Sequence, residues 1–336
     1  MLTKNIKFKL FKKKKLNGNL KKKLTSLLNE KNFIIKSLKK EYKNNYNKRT
    51  ISKFKSFINY RVIGMGGSSL GTRAIYDFLK HKIKKKFEFL DNLNSNYKNL
   101  SNANTLNLII SKSGNTLETI VNSNINIKKN QKNIFITENK NSYLHILAEK
   151  LKAEIIHHNN FIGGRYSVLS EVGMLPAELM GLNILKFKQL NYLVKNKKYL
   201  NHLVNNVEAI LYFNKIKKFN SIIINYDEKS TNLFNWYQQL VAESLGKESK
   251  GILPIISTMP KDNHSLMQLY LDGPKNNFFT FFIVEDKFSN KINKKYLNDS
   301  FSYLSNKNTY EILKAQFEAT RNIFKKRKIP FRTFVV

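Results

Sequence analysis

Leu106-Asn107-Leu108-Ile109-Ile110-Ser111-Lys112-Ser113-Gly114-Asn115-Thr116-Leu117-Glu118-Thr119 passes from a largely apolar run, through a hydroxyl-rich turn, into a helix-compatible stretch. Such a run, closed by turn residues, predicts a core strand of a parallel sheet. Where the helix begins, backbone N–H groups lack partners and the local potential is positive. Ser111, Ser113, Thr116 and Lys112 add hydroxyl and ammonium donors at the same place, which suits a phosphate group. N-capping alone is the other reading of Ser113 and Thr116.

Working outward, the same alternation recurs. Val62-Ile63-Gly64-Met65 runs into Gly66-Gly67-Ser68-Ser69 and then a helical stretch from Leu70 to Leu79. Further strands are expected at Phe87–Leu90, Asn133–Thr137 and Glu154–Ile156, with helices near 117–128 and 143–151 between most of them. The expected fold is α/β, an open, mainly parallel sheet with helices on both faces. A long helical stretch from about 171 to 215 leads to a second such unit. There Ser221–Tyr226 and Phe278–Val284 read as strands, Leu233–Leu245 and Tyr310–Lys326 as helices, and the terminal Pro330–Val336 as a last strand. Before Tyr60 the chain is basic and helical in patches, Leu20, Leu24, Leu27 and Leu28 lying at helical spacing, with Lys12–Lys15 a solvated turn or helix face. The expected organisation is a basic helical segment over 1–55, a first α/β domain over 56–185 and a second over 186–336.

A chain of 336 residues with 41% hydrophobic and 12% aromatic content can bury a substantial core. It has no cysteine, so disulfides and thiolate metal sites are excluded. No apolar run reaches the ~18 residues of a membrane span. Met1-Leu2-Thr3-Lys4-Asn5 opens a Lys-rich segment unlike a secretory leader, so the expected address is cytoplasmic. The formal charge of +37 comes almost wholly from lysine spread along the chain among Asn and Ile. Arginine and aromatics that would read or stack on bases are not gathered with it, so compositional bias, not specific nucleic-acid binding, is the expected cause. The field still attracts anionic metabolites.

Three further stretches carry chemistry. In Gly163-Gly164-Arg165-Tyr166-Ser167 two glycines free the backbone beside a guanidinium, a permanent cation suited to an oxyanion. Gln239 and Glu243 stand four apart on one helix face, with Gly246 able to end that helix, and Glu243 suits a general base. His264 lies in Asp262-Asn263-His264-Ser265. The six histidines, His157-His158 included, show no metal-ligand spacing, and no metal site is expected.

Taken in order, these motifs resemble the glucose-6-phosphate isomerase (phosphoglucose isomerase) family, built from two sugar-isomerase domains. The resemblance runs from about Val62 to the final strand. It rests on Gly-Gly-Ser at 66–68, Ser-Lys-Ser-Gly-Asn-Thr-Leu-Glu-Thr at 111–119, Gly-Gly-Arg-Tyr-Ser at 163–167, Gln-x-x-x-Glu-Ser-x-Gly-Lys at 239–247 and His-Ser at 264–265. It implies interconversion of glucose 6-phosphate and fructose 6-phosphate through an enediolate, in glycolysis and gluconeogenesis, without metal or organic cofactor. By the same resemblance Gly67, Ser68, Ser111, Lys112, Ser113, Thr116, Gly164 and Gln239 bind substrate. Glu243 moves the proton between C1 and C2, Arg165 stabilises the intermediate, and His264 assists ring opening with Glu118 in support. A homodimer with His264 entering the neighbouring site is implied too. The family's Phe-Asp-Gln motif and catalytic lysine have no match before Val336, so a C-terminally truncated chain, with a second domain incomplete and destabilised there and with weak activity, is expected. A sugar-phosphate-binding regulator, or an inactive fragment of the family, is the alternative.

Overall fold

The computed structural model describes residues 5–11, 19–94, 104–128, 130–286 and 288–336. The Lys12–Lys15 run lies outside the described residues, as do Met1–Lys4 of the terminus read for a leader. In chain order the strands are β1 (Lys7–Lys9), β2 (Asn59–Ile63), β3 (Lys86–Leu90), β4 (Thr105–Ile110), β5 (Lys132–Thr137), β6 (Glu154–His157), β7 (Asn220–Asn225), β8 (Leu253–Thr258), β9 (Asn277–Ile283) and β10 (Phe331–Val335). The α-helices are α1 (Leu20–Asn29), α2 (Phe33–Ser37), α3 (Lys48–Phe54), α4 (Leu70–Phe78), α5 (Leu117–Asn126), α6 (Tyr143–Lys150), α7 (Glu171–Leu179), α8 (Leu190–Leu193), α9 (Lys197–Lys215), α10 (Thr231–Leu245), α11 (Asp262–Ser265), α12 (Met267–Asp272) and α13 (Thr309–Lys326). The chain is mixed α/β, with two mainly parallel sheets flanked by helices.

Two compact units hold these elements. One comprises Thr25–Asn196 and Asn232–Glu243, the other Met1–Leu24, Lys197–Thr231 and Ser244–Val336.

In the first of these the order is β3-β2-β4-β5-β6, every pairing parallel. Side chains alternate across a strand, and here both faces are covered. Tyr60, Val62, Leu106, Leu108, Ile110, Ile134 and Ile136 pack with Phe54 of α3, Ile75 of α4 and Val172, Leu175 and Leu179 of α7. Ile63, Ile109 and Phe135 face the other way, onto Leu144 and Ala148 of α6 and Ile120 of α5. That double burial explains why β4 reads as a nearly unbroken apolar run. The helical stretch expected from 171 to 215 is instead broken. α7 ends at Leu179, Gly181 takes φ +89° just after it, and helix resumes only at α8 and α9.

In the other unit the order is β1-β10-β9-β7-β8, parallel except that β1 runs antiparallel to β10. Phe279, Phe281, Phe317, Phe324 and Phe331 form its centre, with edge-on ring contacts. α13 starts on a capping box, Asn308 Oδ1 accepting from Glu311 N at 2.9 Å while Asn308 N donates to Glu311 Oε2 at 2.9 Å. Two strands here escaped the sequence reading, β1 and β8. Among the described residues no helix is long and apolar enough to cross a membrane.

Candidate functional site

Parallel strands β2, β4 and β6 deliver their following turns to one sheet edge, the carboxyl end, where open α/β sheets hold ligands. After β4, Ser111 is buried at 2% exposure and its Oγ lies 2.9 Å from Thr116 Oγ1, while Gly114 N donates to Ser111 Oγ at 3.2 Å. Gly114 adopts φ +69°, and a Cβ there would fall 2.1 Å from Ser142 Oγ, so the turn admits only glycine. Thr116 is the N-cap of α5 but makes no side-chain capping bond. Its hydroxyl is turned to Ser111 instead, and simple capping does not account for it. Ser113 is exposed, its Oγ accepting from Asn115 N at 3.2 Å. Glu118 sits half-buried in the first turn of α5.

Lys112 is fixed by backbone as well as charge. Its Nζ donates to Asn160 O at 2.8 Å and lies 3.4 Å from Glu138 Oε1, whose other oxygen meets Lys140 at 2.7 Å. Burial pushes the Glu138 carboxyl up, but the Lys140 and Lys112 contacts outweigh it and hold the group below its ordinary value. Sequence reasoning did not single out Glu138.

The turn after β2 touches the one after β6. Gly67 is in a 3-10 turn, Gly66–Ser68, and a Cβ on it would meet Gly164 C at 2.2 Å and Arg165 N at 2.7 Å. Ser167 Oγ spans the contact, donating to Gly164 O at 2.7 Å with Gly67 O at 3.3 Å. Ser68 is half-buried in the same turn. The two glycine-containing motifs, about a hundred residues apart in sequence, therefore form one backbone junction.

Arg165 projects from that junction toward α10. Its Nη1 lies 2.6 Å from Glu243 Oε1, and Gln239 Nε2 donates to Glu243 Oε2 at 3.2 Å. Trp236 Nε1, one helical turn earlier, donates to Arg165 O at 3.3 Å. The guanidinium also stacks over the Tyr166 ring, 4.6 Å from its centroid. Arg165 side-chain exposure is 18% and that of Glu243 is 52%, so the carboxylate stands on the open side of the pair. Among the described residues, the buried Gln239 Oε1 has no partner. An acceptor so placed can receive a hydrogen bond from a ligand hydroxyl.

Gly67, Ser68, Ser111, Lys112, Ser113, Thr116, Glu118, Gly164, Arg165, Gln239 and Glu243 all belong to the unit around the five parallel strands. His264 does not. It stands exposed on α11 of the other unit, where Asp262 shapes the turn by accepting from Thr258 N at 2.7 Å and Ser257 Oγ at 3.1 Å.

The phosphoglucose isomerase family model matches residues 22–257. Glucose-6-phosphate isomerase of Methanocaldococcus jannaschii is 37% identical over 257 residues, covering 70% of this chain and 63% of the relative. The chain thus spans a little under two thirds of that relative's length. Among solved structures, a hypothetical protein from Thermus thermophilus superposes with a TM-score of 0.75 at 22% identity, over 94% of this chain and 82% of that one. A glucose-6-phosphate isomerase from Chlamydia trachomatis does so with a TM-score of 0.60 at 18% identity, over 86% and 62%. At those identities the structures speak for the fold, and the family model speaks for descent. The chain belongs to the phosphoglucose isomerase family.

Proposed function

We propose that this chain interconverts glucose 6-phosphate and fructose 6-phosphate by proton transfer between C1 and C2. The observation that carries the reading is the Arg165–Glu243 pair, a cation and a base 2.6 Å apart beside two hydroxyl-rich turns. Aldose–ketose exchange needs a base to take a proton from carbon and a fixed positive charge to stabilise the enediolate oxygens. A phosphate sensor has no use for the first of these.

Ser68, Ser111, Lys112, Ser113, Thr116 and Gln239 hold the phosphate, with the Gly67–Gly164 junction supplying backbone N–H groups. The non-reacting phosphate then aims the sugar carbons, so its binding energy is spent on position. Glu243 takes the proton from one carbon and returns it to the other, while Arg165 faces the developing negative charge. Sharing one carboxylate between Arg165 and Gln239 holds the base in one orientation. His264 opens the ring, with Glu118 in support. We place the working form as a homodimer in which His264 serves the neighbouring site, and its address as cytoplasmic.

A coupled assay for fructose 6-phosphate formation, with Glu243→Gln as the comparison, tests the assignment. Conversion by the wild type and a loss of about 10²–10⁴-fold in the variant are expected. No conversion by the wild type, or an undiminished rate in the variant, rejects it.

A further inference from the structure

Ahead of and behind the Arg165 turn in sequence stand a buried histidine and a buried glutamate, in contact, that the proposed chemistry does not use. His158 is 2% exposed and Glu171 is fully buried. His158 Nδ1 lies 2.8 Å from Glu171 Oε1 and Nε2 lies 3.0 Å from Ile162 O. Both neighbours are oxygen acceptors, and only a ring carrying a proton on each nitrogen donates to both. The same carboxylate oxygen also accepts from Asn159 N at 2.8 Å, and its other oxygen accepts from Tyr42 OH at 3.2 Å. Burial alone would raise the Glu171 carboxyl, but the bonds from His158 and Asn159 hold it below its ordinary value.

The chain between these two residues carries Arg165 and the backbone acceptor of Lys112. Residues 159–162 form a closed turn, Ile162 N donating to Asn159 O at 3.0 Å and Phe161 N to Asn159 Oδ1 at 3.0 Å. Asn160 O, at the middle of it, is the acceptor for Lys112 Nζ. Ile162 O, pinned by the imidazole, directly precedes Gly163-Gly164-Arg165. A short 3-10 stretch, Gly164–Leu169, then returns the chain to Glu171 at the start of α7. The acid at that position is favoured by the helix dipole.

We propose that His158 and Glu171 are positioning residues, a buried imidazolium–carboxylate clasp closing the 158–171 loop so that Lys112 and Arg165 are set by one turn. This deepens the isomerase reading and rests on it for the roles of Lys112 and Arg165. A neutral ring donates to one acceptor only, so losing the charge releases either the carboxylate or the Ile162 carbonyl. Releasing the latter frees the peptide next to Gly163, and two glycines offer no resistance to its swing. The clasp fixes geometry and touches no reacting atom.

Two measurements test it, the first independent of turnover. Ring-nitrogen NMR of the wild type should show both His158 nitrogens protonated at neutral pH, and amide exchange over 159–165 should be slow. In His158→Gln and in the milder Glu171→Gln that protection should fall by at least about tenfold. The second measurement is kinetic. Both variants should lose kcat by roughly 10–10²-fold, as misplacement of a positioned group does, with KM rising through Lys112. Lys188→Met, which alters a buried neighbour of Glu171 outside the loop, should keep wild-type kcat. A neutral His158 ring, or unchanged exchange and kinetics in Glu171→Gln, overturns the proposal even if Glu243→Gln behaves as expected. If the wild type fails to isomerise, the functional assignment falls, and the ring and exchange data still decide the clasp.

Discussion

Arg165 Nη1 and Glu243 Oε1 stand 2.6 Å apart, joining the turn after β6 to the helix α10. The cation proposed to steady the enediolate is thus also the group that holds the proposed base. Its planar fork can hold a carboxylate with one N–H and a developing oxyanion with another, which a lysine ammonium on a flexible stem does poorly. Arg165→Lys is therefore expected to lower kcat by about 10²-fold, comparable to loss of one oxyanion donor. KM should shift only a few-fold, since the turn proposed to hold the phosphate is untouched. Steady-state kinetics decide this, and a lysine variant with wild-type kcat removes Arg165 from the transition state.

The Gly67–Gly164 junction allows a paired test of backbone contact. A methyl on Gly67 would sit 2.2–2.3 Å from the Gly164 carbonyl atoms, and backbone cannot yield as a side-chain tip does. Gly67→Ala should push the Arg165 turn away, costing about 1–3 kcal/mol of stability and most of the activity. Gly163→Ala, next to Gly164 in the partner motif, meets nothing nearer than Tyr166 Cδ2 at 3.6 Å. It should melt close to wild type. Thermal unfolding and kcat of the two variants together check it, and equal effects would refute the steric account.

How much of this was legible in the sequence depended on the kind of residue. β2 to β6 were readable because buried parallel strands are written as apolar runs, and the turn at Ser111–Thr116 because glycine among hydroxyl residues punctuates a strand end. β8 was missed since Leu253-Pro254-Ile255-Ile256 carries a proline that argues against a central strand. The structure makes β8 an edge strand, where proline is tolerated. β1 is three residues, Lys7-Phe8-Lys9, too short to show a period. At the site, Arg165, Gln239 and Glu243 could be picked out by type and spacing. His158 and Glu171 could not, because their meaning lies in facing each other across thirteen residues inside the protein. The sequence reading considered His157-His158 only as a metal motif.

Lys188 offers a pH test of the same buried region. It is 1% exposed, with its Nζ over the Tyr42 ring at 4.3 Å and 3.5 Å from Asn44 Oδ1. Burial pulls its ammonium down from 10.5 to about 8, the nearby Glu171 charge recovering only part of the loss. Between those two values the unfolded chain binds more protons than the folded one, so stability from this group rises with pH across pH 8–10.5 and is least below 8. Lys188→Met lacks the titration and should be more stable than wild type at pH 7, by roughly 1–3 kcal/mol. That advantage should shrink steadily toward pH 10. Denaturant unfolding at pH 7, 8.5 and 10 measures it, and a pH-independent difference would mean the lysine is not buried as a charge.

Lys112 separates binding from chemistry. Its ammonium is tied to Asn160 O and to Glu138, and among the described residues it makes no bond to Arg165 or Glu243 that would draw it into the proposed proton transfer; its proposed role is to hold the phosphate. If it holds only the phosphate, ground state and transition state lose the same interaction when it goes. Lys112→Met should then raise KM by about 10–10²-fold, the worth of one charge-assisted bond, and leave kcat within a few-fold. An independent consequence falls on Glu138, whose folded value is held below 4.5 partly by Lys112. A depressed carboxylate contributes stability that is present above its unfolded value and lost as pH falls through its folded one. Wild type should therefore exceed the variant in stability at pH 6–7 and converge with it on acidification below pH 4. A variant whose kcat falls as steeply as kcat/KM would place Lys112 among the groups acting in the transition state, and equal stabilities at neutral pH would dismiss its hold on Glu138.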